Sequence, residues 1–318
     1  MKILMHSNSI SERGTTSALI DYAEGVREFG ISPVISWEKE HTTNNPSFVK
    51  LIHDNFQTIP YLDFDEIKQK SSTFDAAYFI KGGESDGKVL DIEKNLIHVV
   101  FQNFDPHGSD YFYVSKWLAD FVEQKYQISA EQLPLPFLPH IVNLPNQKAN
   151  IRREFGIPSS ALLGIRIGGF DTFDIKFVHR VVKFLLHVNR DLFFIFVNTR
   201  AFIQHPRAIF VGTITDKQSK SDYLQSADFF LHARLGGESF GIAIVEAMSL
   251  GLPVLAWRGG SDLNHVELLG DNSLYSNALD LVNKIQSIRD YADISRNYEI
   301  ALNYKPEPVI EKLLKFLH

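Results

Sequence analysis

The sequence predicts an α/β fold of two Rossmann-like, doubly wound domains that face a central cleft. Strand and helix patterns alternate from the first residues, a segment with four prolines at 133–145 interrupts them, and a second alternating set follows. The chain has 318 residues, 44% of them hydrophobic and 22% charged, which is enough for two globular domains. Ligands of such sheets bind outside the carboxyl ends of the strands, so the cleft is the expected site.

The first set predicts an N-terminal domain at 1–142. A strand at 3–5 leads to a helix at 17–29 with one apolar face, for which Thr15, Thr16 or Ser17 is the expected cap and Gly30 the expected end. The remaining elements predicted here are strands at 33–37, 76–80, 96–101 and 111–114, and a helix at 116–125.

The second set predicts a C-terminal domain at 143–304, after a hinge in the proline-rich segment. An amphipathic segment at 309–317 predicts a last helix, within 305–318, that packs back on the N-terminal domain. The elements predicted between these segments are strands at 162–167, 192–198, 209–211, 229–232 and 253–257, and helices at 175–188, 217–225 and 242–248.

The composition limits the classes of binding partner and the cellular compartment that we expect for the protein. A net charge of −6 argues against a nucleic-acid partner, which would require a basic surface. The absence of cysteine excludes disulfides and thiolate metal sites, and it fits a reducing compartment. The N-terminus lacks a signal-peptide pattern, and no apolar run approaches the roughly 20 residues that span a bilayer. We therefore expect a cytoplasmic protein with at most peripheral membrane contact.

Two glutamates with seven residues between them mark the strongest candidate site. Glu238 lies in a glycine-flanked loop at a helix entry, and Glu246 lies about one and a half turns inside that helix. Glu246 has apolar neighbours, so its charge needs a partner, and a bound ribose is one candidate. A helix entry offers N–H groups and partial positive charge to an anion, here from Ser239, Phe240, Gly241 and Ile242. The alternative is an ordinary loop, helix and strand without a ligand.

Polar residues at the ends of other strands extend this candidate site. His232 and Arg234 end the strand that feeds the glutamate loop. Arg234 would add a positive charge for a phosphate or for the acceptor, and its alternative role is to pin the loop through carbonyl bonds. The candidates for a shelf under a nucleotide base are Asn198, Thr199, Gly212 and Thr213.

These motifs resemble those of the GT-B glycosyltransferases, specifically the nucleotide-sugar-dependent, retaining family 4 group, whose signature is two glutamates separated by seven residues. The best-matched segments are 237–254, 12–30, 111–121 and 151–158, and the resemblance covers nearly the whole chain. It implies that a sugar moves from a nucleoside-diphosphate sugar to a carbohydrate, lipid-linked or other hydroxyl acceptor. It also implies no metal and no cofactor besides that co-substrate.

The resemblance implies a role for each charged candidate in the C-terminal domain. Glu238 would hold hydroxyls of the donor sugar and Glu246 the ribose hydroxyls, with the phosphates over the helix entry. Arg166 and Lys176, which are spaced differently from the usual pattern, would neutralise the departing diphosphate. A solvated helix lysine is the alternative for Lys176.

The resemblance also implies that the N-terminal domain at 1–142 is the acceptor side and that the C-terminal domain at 143–304 binds the nucleotide sugar. The loop with Gly14 and Thr15 would approach the phosphate and the acceptor, and a turn glycine is the alternative for Gly14. His107 would contact the donor sugar, unless Gln102 takes that position.

Three other interpretations bear on the activity. A noncatalytic sugar-nucleotide-binding subunit and a GT-B-like epimerase or hydrolase remain open. The Asp63-x-Asp65 pair spells the metal motif of glycosyltransferases with another fold, but it precedes a helical segment, so capping explains it and no metal site is predicted.

Overall fold

The computed structural model describes residues 1–146, 151–290 and 294–317. These residues form two compact units, Met1–Ile141 with Tyr304–His318, and Val142–Asn303. We call them unit 1 and unit 2. His318, the last residue of the predicted C-terminal helix, lies outside the described residues.

Unit 1 contains a six-stranded parallel sheet in the order β3-β2-β1-β4-β5-β6. The chain winds outward in one direction from β1 and in the other from β4, so the topological switch point lies between these two strands. The elements are β1 (Lys2–Ser7), α1 (Gly14–Glu28), β2 (Ser32–Ser36), α2 (Pro46–Asn55), β3 (Gln57–Thr58), α3 (Asp65–Lys68), β4 (Ala76–Lys81), β5 (Asn95–Val99), β6 (Asp110–Tyr113) and α4 (Lys116–Tyr126).

The first helix begins earlier than its sequence pattern predicts. α1 starts at Gly14, and Arg13 at the N-cap makes no side-chain capping bond, so the expected cap at Thr15, Thr16 or Ser17 is wrong. The hydroxyl of Thr16 instead accepts the backbone N–H of Ser11 at 2.9 Å, which ties the incoming loop to the helix. The expected end is confirmed, because Gly30 has a φ of +78°, where glycine carries no steric cost.

Unit 2 repeats this architecture with the sheet order β14-β12-β10-β7-β8-β9 and a separate parallel pair, β11-β13. Its switch point lies between β10 and β7. The elements are α5 (Ile151–Glu154), β7 (Leu162–Ile167), α6 (Lys176–Val188), β8 (Leu192–Val197), β9 (Ala208–Val211), α7 (Lys217–Ser226), β10 (Phe229–His232), β11 (Gly237–Glu238), α8 (Ile242–Ser249), β12 (Val254–Trp257), β13 (Asp262–Leu263), α9 (Asn264–Leu268), β14 (Leu274–Tyr275), α10 (Ala278–Gln286) and α11 (Ile294–Leu302).

The core of unit 2 is rich in aromatic side chains, and it leaves little space near the strands. Phe194, Phe196 and Phe229 are fully buried around β7, β8 and β10. A Cβ atom at Gly164 of β7 would lie 2.5 Å from the Phe194 ring and 2.6 Å from the Phe229 ring. Position 164 therefore accepts only glycine unless the core repacks. The tight packing holds the ends of β7 and β10 in place.

The last helix, α12 (Pro306–Leu317), belongs to unit 1. It packs on α1, where the missing side chain of Gly25 makes room for Ile310, since a Cβ atom there would lie 2.7 Å from Ile310. Phe316 stacks on Phe112 of β6 with ring centroids 4.6 Å apart. The predicted α/β fold with two doubly wound parallel sheets is confirmed.

Candidate functional site

The loop that carries Glu238 is fixed by close backbone contact with a second loop. Gly237 and Glu238 form β11, which pairs in parallel with Asp262 and Leu263 of β13. Gly237 has a φ of +72°, and a Cβ atom there would lie 2.0 Å from the carbonyl oxygen of Asp262. A side chain at position 237 is thus excluded by conformation and by space, and the glutamate is presented from a rigid turn.

The carboxylate of Glu238 is oriented by two nitrogen donors that the sequence places nearby. His232 Nε2 lies 3.1 Å from Oε1, and Arg234 Nη1 donates to Oε2 at 3.0 Å. Burial alone would raise the pKa of Glu238, but the hydrogen bond and charge of His232 and the charge of Arg234 lower this pKa below its usual value. Glu238 is therefore ionised at neutral pH and accepts hydrogen bonds. Arg234 reaches the carboxylate itself, rather than the loop carbonyls of the alternative interpretation.

A second layer of residues, which the sequence did not reveal, supports this arrangement. His265 is fully buried, its ring lies 5.2 Å from that of His232, and its Nε2–H donates to the carbonyl of Trp257 at 2.7 Å. Burial and the neighbouring His232 lower the pKa of His265 to about 4, so the ring is neutral at pH 7. Asn264 donates through Nδ2 to the carbonyl of Phe240 at 2.8 Å, which joins the start of α9 to the helix entry.

The predicted anion cradle lies at the entry of α8. α8 begins at Ile242, its N-cap Gly241 has a φ of +89° and makes no side-chain capping bond, and its first turn carries no acidic residue. Phe240 is buried and Ser239 is half-buried. The positive end of the helix is thus not neutralised by an acidic side chain of its own first turn, and anion binding there stays a prediction.

Glu246 already has a cation partner within the protein. Its side chain is 8% exposed, and Lys220 of α7 donates to Oε1 at 2.7 Å. The charge on this buried carboxylate therefore does not by itself indicate a ribose, because the lysine compensates it. No sequence pattern indicates this partner, because Lys220 lies 26 positions earlier and on a different helix. Binding of ribose hydroxyls by Glu246 stays a prediction.

The guanidinium of Arg166 donates hydrogen bonds to other groups of the protein. The residue is 3% exposed. Nη1 donates to Thr199 Oγ1 at 2.7 Å and to the carbonyl of Asn198 at 2.8 Å, and Nη2 donates to the carbonyl of Gly169 and to Thr172 Oγ1, both at 2.7 Å. Burial lowers the pKa of Arg166 to about 10, which still leaves it charged at neutral pH. These contacts favour a structural role, and the diphosphate role stays a prediction.

Some of the other candidates in unit 2 are exposed, and others are hydrogen-bonded within the protein. Lys176 is the first residue of α6 and is exposed. Asn198 adopts a φ of +46°, donates from Nδ2 to the carbonyl of Gly168 at 2.9 Å and accepts from Thr213 Oγ1 at 3.2 Å, so it joins the loops after β7, β8 and β9. Gly212 and Thr213 are exposed, whereas Thr199 is buried against Arg166. The base shelf stays a prediction.

The candidates in unit 1 lie at two places. Gly14 and Thr15 open α1, whose first turn carries no acidic residue. His107 lies in the loop after β5, where its Nδ1–H donates to the carbonyl of Asp105 at 2.7 Å. Its Nε2 is buried and has no hydrogen-bond partner within the part of the chain that the structure describes. The backbone carbonyl of Gln102 accepts from Lys125 Nζ at 3.0 Å. Sugar contact by His107 or Gln102 stays a prediction.

The Asp63-x-Asp65 pair makes local backbone contacts. Asp63 Oδ1 accepts the N–H of Asp65 at 3.0 Å, and Glu66 Oε1 accepts the N–H groups of Leu62 and Asp63. Within residues 1–146, 151–290 and 294–317, no group of three histidine or acidic side chains is placed to hold a metal ion. No helix in these same ranges is both long and apolar enough to cross a membrane.

Comparison with known proteins supports the predicted fold, and a family of known proteins matches the segment that contains Glu238 and Glu246. Residues 196–290 match the family Glycosyl transferases group 1. The structure superposes on a glycosyltransferase from Rickettsia africae with a TM-score of 0.73 and 14% identity, covering 99% of this chain and 97% of the other. It superposes on Anabaena Alr3699/HepE in complex with UDP-glucose with a TM-score of 0.77 and 16% identity, covering 100% and 99%. The chain has the GT-B fold of glycosyltransferases. The match and the fold together confirm the resemblance to GT-B glycosyltransferases.

A curated relative of this GT-B protein matches a shorter segment. The phosphatidyl-myo-inositol mannosyltransferase of Mycobacterium leprae is 36% identical over 86 residues, which cover 24% of this chain. The chain spans 22% of the length of that relative. The segment matched by the group 1 family contains Glu238, His232 and Arg234, as well as Glu246 and Lys220. The family match therefore lies within unit 2.

Proposed function

We propose that this GT-B protein is a retaining glycosyltransferase that moves a sugar from a nucleoside-diphosphate sugar to a carbohydrate, lipid-linked or other hydroxyl acceptor, without a metal. The observation that carries the proposal is the Glu238 carboxylate, ionised and oriented by His232 and Arg234 in a rigid loop at the start of α8. A fixed carboxylate that can only accept hydrogen bonds suits the hydroxyls of a sugar. The cysteine-free sequence fits action in the reducing cytoplasm.

Catalysis in this proposal is electrostatic. As the glycosidic bond breaks, charge accumulates on the departing diphosphate, and groups that interact more strongly with that charge than with the ground state accelerate the reaction. The groups available are the entry of α8, the exposed Lys176 at the start of α6, and Arg234. Arg166 contributes indirectly, by holding the loops after β7 and β8. Retention of configuration, with the leaving phosphate accepting the acceptor proton, follows the family resemblance.

The comparisons support a nucleotide sugar as the donor. Anabaena Alr3699/HepE, which shares the fold over the whole chain, is described in complex with UDP-glucose and in complex with UDP and glucose. The segmental relative from Mycobacterium leprae is a mannosyltransferase. UDP-glucose is therefore the first donor to test, ahead of GDP-mannose.

A noncatalytic sugar-nucleotide-binding subunit is the second candidate function. The observation that favours it is Arg166, whose guanidinium bonds to protein carbonyls and hydroxyls where the resemblance implies a contact to diphosphate. This candidate predicts donor binding without turnover.

The test has two stages. First, UDP-, GDP-, ADP- and CMP-sugars at millimolar concentration are screened for a rise in melting temperature, since a ligand at 100 times its Kd stabilises the folded state by about 2.7 kcal/mol. Second, the donor that binds is incubated with a panel of glycan and lipid-linked acceptors, and the anomeric configuration of the product is determined by NMR. Binding with transfer and retention supports the proposal. Binding without turnover supports the noncatalytic subunit, and no binding by any donor contradicts both.

A further inference from the structure

The outer face of α6 in unit 2 carries positive charge that the candidate donor site does not use. Arg180, Lys183 and His187 are exposed, and spacings of three and four residues place them along one side of the helix. Lys176, at the first position of α6, belongs to the candidate donor site and is not part of this face. Because α6 contains no acidic residue, the helix presents an uncompensated positive face to solvent.

The two permanent cations of this face make no bonds that the fold needs. In the part of the chain that the structure describes, neither Arg180 nor Lys183 forms an ion pair or a hydrogen bond through its side chain. Three other arginines of unit 2 donate to carbonyls, a hydroxyl or a carboxylate, namely Arg166, Arg200 and Arg207. Like charges three or four residues apart destabilise a helix, and an anion from outside the chain would relieve that repulsion.

Exposed apolar side chains lie beside these cations on two helices. Phe184 and Val188 of α6 are each 54% exposed, and Leu279 of α10, which packs beside α6, is 69% exposed. The ring of Phe177, on the same flank of α6 as Phe184, lies 5.5 Å from the ring of Trp257 in β12, so this flank turns toward the α10 side of the sheet. The side chains that combine charge and apolar surface here, which we call the α6–α10 face, are Arg180, Lys183, Phe184, Val188 and Leu279.

An anionic lipid surface satisfies both halves of this face. Its headgroups supply the negative charge that attracts lysine and arginine, and the hydrocarbon beneath them accepts apolar side chains. The long stems of Arg180 and Lys183 let the charged ends stay at headgroup level while Phe184 inserts. Because the apolar side chains are divided between two helices, the face is broad and suits a flat surface better than a single helix of a partner protein.

The charge of the whole chain favours contact through this face. The net charge is −6, so an anionic membrane repels the chain as a whole and attracts only a local concentration of positive charge. Contact with such a membrane therefore favours orientations that turn the α6–α10 face toward the headgroups.

We propose that the α6–α10 face docks unit 2 reversibly on a membrane that contains anionic lipids. Arg180 and Lys183 pair with the headgroups, and Phe184, Val188 and Leu279 enter the boundary with the acyl chains. Each cation near such a surface raises the partition coefficient about fivefold, so two cations and a few apolar side chains give weak binding that salt reverses. The docking does not depend on the proposed sugar transfer. For a lipid-linked acceptor, it would hold the unit with the candidate donor site at the surface where that acceptor lies.

The test is co-sedimentation of the full-length protein with two kinds of vesicle, at low and at high salt. One kind is phosphatidylcholine alone, and the other is equal parts of phosphatidylcholine and phosphatidylglycerol. Arg180→Glu combined with Lys183→Glu reverses the charge of the face, and Phe184→Ser removes its aromatic side chain. Binding of soluble polyglutamate is measured in parallel, as the probe for an acidic protein partner.

Unit 1 supplies matched controls. Lys50→Glu combined with Lys70→Glu changes the net charge by the same amount at exposed positions, and Leu62→Ser removes an apolar side chain that is 60% exposed. All variants should melt within about 3 °C of the wild type, because each alters only exposed side chains.

The proposal predicts binding to the anionic vesicles, none to phosphatidylcholine alone, and a loss of at least about tenfold at high salt. Reversing both charges should weaken the binding at least about 25-fold, since two contributions of about fivefold each are lost and repulsion is added. Phe184→Ser should weaken it about fivefold, and both unit 1 controls should bind within about twofold of the wild type.

The proposal is overturned if the protein does not bind anionic vesicles, or if the unit 1 controls weaken binding as much as the α6 variants do. Binding to polyglutamate that is as tight as to the vesicles and insensitive to Phe184→Ser would assign the face to an acidic protein partner instead. Vesicle binding involves no sugar transfer, so its failure and the failure of the proposed activity are separate results.

Discussion

The contacts of Arg166 predict that it supports the structure of unit 2 more than it binds phosphate. Replacing it by methionine preserves much of the apolar stem and removes the guanidinium. The carbonyls of Asn198 and Gly169 and the hydroxyls of Thr199 and Thr172 then lose their charged donor. An unmatched buried polar group costs roughly 1–3 kcal/mol, and partial relaxation and entry of water reduce the sum. We expect a total loss of about 3–5 kcal/mol in the free energy of unfolding of unit 2.

The assay is urea and thermal unfolding of Arg166→Met, Arg166→Lys and the wild type, each with and without the donor that binds best. For a unit of this length, a loss of 1 kcal/mol lowers Tm by about 2–4 °C, so Arg166→Met should melt roughly 6–20 °C lower. Arg166→Lys should fall between the two, because an ammonium cannot span the same set of acceptors. The exposed Arg190, changed to methionine, is the matched control and should leave Tm unchanged.

The opposite outcome would refute this reasoning. If Arg166→Met unfolds within about 1 kcal/mol of the wild type but loses donor affinity more than tenfold, the guanidinium binds diphosphate and the observed contacts are dispensable. If stability falls and the folded fraction at low temperature keeps its donor affinity, Arg166 positions the loops after β7 and β8.

Three further outcomes follow from the structure. Lys220→Met should lower the unfolding free energy by about 3–5 kcal/mol, because it leaves the buried Glu246 carboxylate unpaired, and the double variant with Glu246→Gln should recover most of this loss in urea unfolding. Gly237→Ala should abolish donor binding in calorimetry, since its Cβ atom would lie 2.0 Å from the carbonyl oxygen of Asp262, and wild-type affinity in that variant would contradict the rigid loop. Burial lowers the pKa of His98 from 6.5 to about 3, so its contribution to stability is complete above pH 6.5 and is lost as pH falls toward 3. His98→Asn should therefore reduce the slope of unfolding free energy against pH by about 1.4 kcal/mol per pH unit between pH 6 and 4, and an unchanged slope would contradict the neutral buried histidine.

The fold could be predicted because its signals are local. The central strands of the two sheets are short apolar runs, and α1, α4 and α6 each have one apolar face, so the alternation along the chain predicts doubly wound sheets. The grouping of His232 and Arg234 with Glu238 follows from the same logic, because residues just after a strand end lie at the same edge of the sheet. The two-residue strands β11 and β13 are too short to show a period, whereas α2 has apolar residues at helical spacing, with Phe48 and Ile52 buried, and could have been predicted.

The contacts that decide which candidate residues are available to a ligand join residues far apart in sequence. Nothing near Glu246 indicates that a lysine on α7 approaches within 2.7 Å. In the sequence, Arg166 is a cation at the end of a predicted strand. Only the structure shows that its guanidinium N–H groups donate to carbonyls in the loops after β7 and β8. His265 supports the glutamate loop from across the β11-β13 pair, and a lone histidine in a helix gives no sequence signal of this role. Long-range packing therefore decides which candidate residues can still bind a ligand.

The most direct test of the central claim is the kcat/KM for sugar transfer by Glu238→Gln, measured with the donor and acceptor that the wild type uses. The glutamine keeps the size of the side chain but turns an amide N–H₂ toward the donors of His232 and Arg234, so it cannot orient as the carboxylate does. Glu154→Gln, an exposed carboxylate on α5 of the same unit, is the matched control. The account predicts a fall of about 10²–10³-fold in kcat/KM for Glu238→Gln, with Tm lower by about 2–10 °C and the assay run well below it, and no change for Glu154→Gln. A Glu238→Gln variant that transfers sugar within about threefold of the wild type would contradict it.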